Sequence, residues 1–210
     1  MQIYVNTKNY KLNNLESLTE LLKHIKEHAL PVKLVVPALM LGFLKPFSEF
    51  LWLQHADSDS IGAHTGKNSI ELVENFMCEG ILLNHAEHKL ENEELFLTIE
   101  KALKKNFKVM VCSQNFEFLK SLENFGKNVI LAYEPENLIG SDVSVVDGDL
   151  SYLQKKLDDF ENPYILGAGV KDNQDILACN SLGASGVLIA SKVCKAEDPF
   201  KVLQELLQGL

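Results

Sequence analysis

The run Val129-Ile130-Leu131-Ala132-Tyr133-Glu134-Pro135 carries an apolar segment straight into a carboxylate and a stiff proline. A short apolar run is the signature of a buried parallel strand, which places Glu134 at a strand tip ahead of the glycine-bearing loop Leu138-Ile139-Gly140-Ser141. A carboxylate held between apolar surroundings and a closable loop is suited to work as a general base. Four other stretches break from apolar to polar or small in the same way: Asn6-Thr7-Lys8, Asn84-His85-Ala86-Glu87, Gly167-Ala168-Gly169 and Ala190-Ser191. They add an ammonium, an imidazole and a second carboxylate, and two tips small enough for backbone amides to approach an anion. Singly, each has a plainer reading. Lys8 alone is a solvated lysine, His85 a satisfied histidine, and Gly167 and Gly169 are residues of a tight turn. Their joint occurrence at strand tips argues for one site.

For these tips to converge, the elements behind them must be parallel. Apolar runs of strand length fall near 2–8, 32–38, 51–57, 80–86, 108–113, 129–134, 163–169 and 186–191. Between them lie helical patterns over 15–28, 42–49, 70–78, 93–106, 116–125, 150–160, 174–182 and 199–207, with Pro46 expected to kink or split the second. Asp172 and Asp198-Pro199 read as helix starts, and Gly183 as a helix end. Strict alternation with short links requires right-handed parallel crossovers, and eight units favour closure into an α/β (β/α)8 barrel, a TIM barrel of minimal length. One barrel domain over 1–210 is expected, with shortened helices after strands two, five and seven.

The 210 residues, 46% of them hydrophobic, are enough for one full core. A formal net charge of −9 without any Lys/Arg-rich run argues against nucleic acid or an acidic membrane as partner. An anionic ligand must therefore be held by local amides and lysines. Cys78, Cys112, Cys179 and Cys194 lack C-x-x-C spacing and are expected to be reduced, as in a cytoplasmic protein. The chain starts directly with strand-like sequence, and no apolar run approaches membrane length.

The sequence resembles the triosephosphate isomerase family, in its compact archaeal form. The resemblance is carried by Asn6-Thr7-Lys8, Gln54-His55, Gly62-Ala63-His64-Thr65-Gly66, Leu82-Leu83-Asn84-His85-Ala86-Glu87, Met110-Val111-Cys112-Ser113, Glu134-Pro135 with Leu138-Ile139-Gly140, Gly167-Ala168-Gly169 and Gly186-Val187-Leu188-Ile189-Ala190-Ser191. These motifs lie in order over nearly the whole chain. The resemblance implies interconversion of dihydroxyacetone phosphate and D-glyceraldehyde 3-phosphate through an enediolate, without cofactor or metal. Glu134 matches the catalytic base and His85 the neutral imidazole that polarises the carbonyl, roles for which this family is itself the standard worked case of acid and base tuning. Lys8 matches the lysine that stabilises the enediolate and the phosphate, Asn6 a nearby polar contact, and Glu87 the carboxylate paired with that lysine. Gly140, Gly169, Ala190 and Ser191 match the amide donors to the phosphate. Thr65, on the loop 62–66, matches a contact into a neighbouring subunit, implying a homodimer or a tetramer.

Several positions depart from the family pattern. Ala86 replaces a serine whose hydroxyl would lie near the base, so a shifted resting position of Glu134 is expected. Glu136-Asn137 replaces Pro-Glu in the lid, Asp142 replaces glycine, and Lys192 follows Ser191 where glycine is usual. Two competing readings remain at this level. A metal-dependent barrel hydrolase is suggested by His55, His64, His85 and His88, although only His85 falls at a strand tip beside another candidate. An idle barrel that binds a phosphorylated ligand is the other. His24 and His28 stand one helical turn apart on an expected outer helix, where a solvated face is the default.

Overall fold

The computed structural model describes residues 1–138 and 143–209. Its eight strands are β1 (Gln2–Asn6), β2 (Val32–Val36), β3 (Leu51–Leu53), β4 (Gly80–Leu83), β5 (Lys108–Ser113), β6 (Val129–Tyr133), β7 (Tyr164–Gly167) and β8 (Gly186–Ile189). Each pairs in parallel with the next, and β8 pairs back onto β1, so the sheet closes into the expected (β/α)8 barrel. The helices are α1 (Leu15–Glu27), α2 (Ala38–Leu41), α3 (Ile70–Val73), α4 (Asn92–Lys104), α5 (Phe116–Ser121), α6 (Leu150–Leu157), α7 (Asn173–Ser181), α8 (Ser191–Cys194) and α9 (Pro199–Leu206). Among the described residues no helix is long and apolar enough to cross a membrane.

Strand periodicity divides the apolar side chains into two cores. On β1, β2 and β6 the residues Ile3, Val5, Leu34, Val36, Val129 and Leu131 face the helix layer. Their neighbours Tyr4, Val35, Ile130 and Ala132 join Trp52, Leu82, Met110, Cys112, Ile165 and Leu188 inside the barrel. Trp52 is the largest of these, packed edge-on against Tyr4 at 5.1 Å. It fits because Gly80 faces it: a Cβ there would lie 2.7 Å from the indole ring and from the Lys108 carbonyl oxygen. Below it, Glu79 accepts from the indole Nε1 at 3.2 Å and pairs with Lys33 and Lys108, each at 2.7 Å. Burial works against the Glu79 charge, yet these donors outweigh it and hold its carboxyl below the ordinary range.

Helix starts follow local chemistry. The side chains of Asn14, Asn115, Asp149, Asp172 and Asp198 each accept from a backbone N–H of the first turn, and Pro199 occupies the opening of α9. The helix expected over 42–49 is displaced. α2 ends before it, and a 3-10 stretch over Lys45–Phe50 follows, with Pro46 in its first turn and Phe47 outside helical geometry. Short helices follow β2 and β5 as expected, but the third lies after β3 and not after β7, where α7 runs nine residues. After β3 the chain is spent on a projecting loop. Asp57 ties its base, bonding Asn68 through the backbone and accepting the Asn68 N–H at 2.6 Å on its carboxylate. The four-residue α8 after β8 has no counterpart among the expected helical stretches, although Lys192 beside Ser191 also reads as a helix-start lysine.

Candidate active site

On β6 the inward residues are Ile130 and Ala132, and the next inward position is Glu134. Parity alone therefore turns this carboxylate into the barrel mouth. His85 reaches the same space differently. Asn84 stands in the left-handed region (φ 57°), held there by Nδ2 donating to the Cys112 carbonyl at 3.0 Å and Oδ1 accepting from Leu90 N–H at 3.1 Å. That turn brings the imidazole over the rim. His85 Nε2 and Glu134 Oε2 stand 3.5 Å apart, and both side chains are buried. The Glu87 backbone N–H donates to His85 Nδ1 at 3.1 Å. Nδ1 must then present a lone pair, so the ring is neutral and its proton lies on Nε2, facing Glu134 and the cavity. Glu134 Oε2 is buried without a hydrogen-bond partner. The Cys112 thiol packs against the same carboxylate; burial first, and then the Glu134 charge and hydrogen bond, push it far above the ordinary thiol range. Cys112 is therefore a protonated neighbour.

Lys8 also has a left-handed backbone (φ 43°). Two side chains that sequence reasoning gave no role clamp it: Asn13 Nδ2 donates to the Thr7 and Lys8 carbonyls at 2.9 and 2.7 Å, and Gln54 Nε2 donates to the Lys8 carbonyl at 3.1 Å. Asn6 Oδ1 accepts the Lys8 N–H at 3.1 Å. The Lys8 ammonium pairs with the exposed Glu87 carboxylate at 2.7 Å.

Asn6, Lys8, His85 and Glu134 share a cavity of about 440 Å³ with the tips of β7 and β8, including Gly169, Ala190 and Ser191. Lys171, Lys192 and Lys195 line it too. The first is paired with Asp147 at 2.9 Å, and the last lies over the Tyr10 ring at 5.4 Å. Lys192 and Lys195 are three residues apart across α8 and its end, the spacing that puts both on one helical side. Lys195 was missed because α8 was missed. Gly169 (φ 70°) is obligatory: a Cβ would meet the Val143 carbonyl oxygen at 1.9 Å, where the chain returning from the β6 loop crosses the β7 tip. Gly167 leaves room for Glu134, whose Oε1 would lie 3.1 Å from an added Cβ. Gly140 and Asp142 lie outside the described residues. A larger cavity of about 780 Å³, between α1 and the start of α9, shares Tyr10 and Lys195 with this one but holds none of Lys8, His85 and Glu134, so convergence and not size marks the site.

Of the four histidines that suggested a metal hydrolase, His55, His85 and His88 line one cavity, but among the described residues they do not bring three ligand atoms within reach of one ion. His55 stacks on His88 at 4.0 Å and bonds Asp57, while His64 pairs with Asp59 at 3.4 Å on the projecting loop. Thr65 is exposed on that loop.

The family model described as triosephosphate isomerase matches residues 1–207. The triosephosphate isomerase of Thermoplasma volcanium is 31% identical over 213 residues, covering 98% of this chain and 99% of the relative. That of Sulfurisphaera tokodaii is 29% identical over 98% of this chain and 93% of its own length. That of Methanobacterium bryantii is 32% identical over 75% and 71%. With the family's motifs in order on a closed barrel and the model matched along almost all of its length, this chain belongs to the triosephosphate isomerase family.

Proposed function

We propose that the chain interconverts dihydroxyacetone phosphate and D-glyceraldehyde 3-phosphate with Glu134 as the base and His85 as the electrophile. The observation that carries this is the unpartnered, buried Oε2 of Glu134 facing the protonated Nε2 of His85 across the cavity. The carboxylate removes a proton from the carbon beside the carbonyl, while Nε2–H and the Lys8 ammonium stabilise the oxygen that gains charge. The same carboxylate returns the proton to the neighbouring carbon. Glu87 holds Lys8, and Asn6 fixes the backbone of Lys8 beside the substrate. Amides at Gly169, Ala190 and Ser191, with Gly140 on the loop after β6, take the phosphate, whose binding energy closes the site and shields the enediolate from water.

The test couples glyceraldehyde 3-phosphate conversion to a dehydrogenase acting on dihydroxyacetone phosphate. Glu134→Ala is expected to lower kcat by roughly 10²- to 10⁴-fold, the range of a general base. Equal turnover by wild type and variant would move the activity elsewhere.

We read the chain as one barrel domain that works as a homodimer or larger assembly in the cytoplasm. Exposed Leu39, Phe43, Ile61 and Met77 lie on the segments after β2 and β3, the second of which also carries Thr65, and such apolar exposure favours a covered interface. Four free thiols, all buried, support a reducing compartment. Sedimentation velocity of Ile61→Asp against wild type tests the assembly: a monomeric wild type would end that reading.

A further inference from the structure

The C-terminal turn of α1 carries His24, Glu27 and His28, and the structure assigns to them a binding site for one divalent transition-metal ion, of the zinc, nickel or cobalt type. Residues three and four apart share one side of a helix, so these side chains point the same way. One ligand atom from each lies within 4.8 Å of the others. Metal–donor bonds of about 2.0 to 2.1 Å place tetrahedral donors roughly 3.3 Å apart, so the side chains must draw in by about 1.5 Å. Glu27 and His28 are exposed, and the Glu27 side chain, which no ring holds, can swing in to supply most of that movement.

A second observation points to a ligand. His24 Nδ1 is withdrawn from solvent and has no hydrogen-bond partner, its nearest acceptor being Glu27 Oε2 at 4.0 Å. A buried imidazole nitrogen with an open lone pair or an unshared proton has a cost that coordination removes. The rings are also held in place from outside. Phe200, at the start of α9, stacks on His24 at 4.5 Å and lies against His28 at 5.0 Å, which limits ring rotation before an ion arrives. The negative end of the α1 dipole lies at this turn and favours a cation. The neighbouring cation Lys26 is drawn off toward Glu49 at 3.4 Å. Two imidazoles and one carboxylate select borderline transition ions over magnesium or calcium and leave coordination positions for water. His24 and Phe200 also line the 780 Å³ cavity, which contains none of Lys8, His85 and Glu134. A bound ion would hold the last turn of α1 and stabilise the fold by mass action.

The experiment is equilibrium titration of the whole protein with Co²⁺, read by its visible absorption, and with Zn²⁺, read by the thermal midpoint and by isomerase activity. One ion per chain is expected, with the midpoint rising and activity unchanged. His28→Ala and Glu27→Gln, both at exposed positions, should each weaken binding by roughly tenfold or more, while their metal-free midpoints stay near wild type. His28→Cys, which restores a zinc ligand, should recover Zn²⁺ binding. Absence of saturable binding in wild type, or equal binding by wild type and both variants, would overturn the assignment.

Discussion

Gly167→Ala separates the positioning of the base from the stability of the barrel. An added Cβ would sit 3.1 Å from Glu134 Oε1 and 3.3 Å from its Cγ, where ordinary contact begins near 3.4 Å. The carboxylate must therefore move by about 0.3 Å. It can, because Oε2 has no hydrogen bond to break and the Cys112 thiol is only a weak donor to the carboxylate. If a misplacement of about 1 Å costs roughly 10²-fold in rate, 0.3 Å on the same logarithmic scale costs about fourfold, or about 0.8 kcal/mol. The fold itself should not suffer. Gly167 does not use the left-handed region, so alanine removes unfolded-state freedom worth about 0.4–1 kcal/mol against a small contact penalty. The coupled assay should then show kcat down about fourfold, with KM little changed, while the urea midpoint holds or rises. Gly169→Ala is the contrast, because its Cβ would strike backbone at 1.9 Å and the fold must yield. An unchanged kcat in Gly167→Ala, or loss of stability in step with activity, would refute the claim that this glycine acts through Glu134.

Lys192→Ala and Lys195→Ala should each raise KM by roughly two- to fivefold with kcat nearly constant, and should flatten the dependence of KM on salt, since exposed charges contribute under about 1 kcal/mol; an unchanged KM in both would remove these lysines from phosphate binding. For acid stability, burial opposes the Glu79 charge but the bonds from Lys108, Lys33 and Trp52 prevail, so the folded carboxyl lies below its ordinary 4.5. A depressed folded value means stability that is full above about pH 4.5 and lost as pH falls through the folded value. Urea midpoints measured from pH 7 to pH 3 should fall more steeply in wild type than in Glu79→Gln, and parallel curves would show that the cluster under Trp52 contributes nothing.

The barrel was legible because two-residue parity and strand–helix alternation are both written in the order of apolar residues. Glu134 was legible for the same reason: it is the first polar side chain at an inward position of an apolar strand. The groups that hold Lys8 were not. Asn13 and Gln54 act through backbone carbonyls of residues with an unusual backbone, and sequence shows neither the positive φ of Lys8 nor the direction of an amide. The short helices misled because their lengths answer to loops. The projecting loop tied at Asp57 takes the residues that would have extended α3, and Pro46 could be read as a breaker but not as the start of a separate 3-10 turn. α8 escaped because four residues carry no period.

A protein of net charge −9 that takes a phosphorylated triose has to solve a problem of sign. Screening solves it in part, since at physiological salt charges beyond about 8 Å are largely hidden from one another. Within that radius the cavity is lined by Lys8, Lys171, Lys192 and Lys195, and Glu134 is the acid among its lining residues. Two of the lysines are already partnered, Lys8 with Glu87 and Lys171 with Asp147, so their charges are held in position more than they are unopposed. Fixed ammoniums do not have to reorganise when the phosphate arrives or when the enediolate forms, which is where an electrostatic site gains most. The chain is acidic overall, and the partnered lysines at the barrel mouth act as a local reversal of it. Adding positive charge elsewhere on the surface should therefore change the encounter rate with salt but leave kcat alone, whereas removing Glu87 should loosen Lys8 and lower kcat even though it makes the rim more positive.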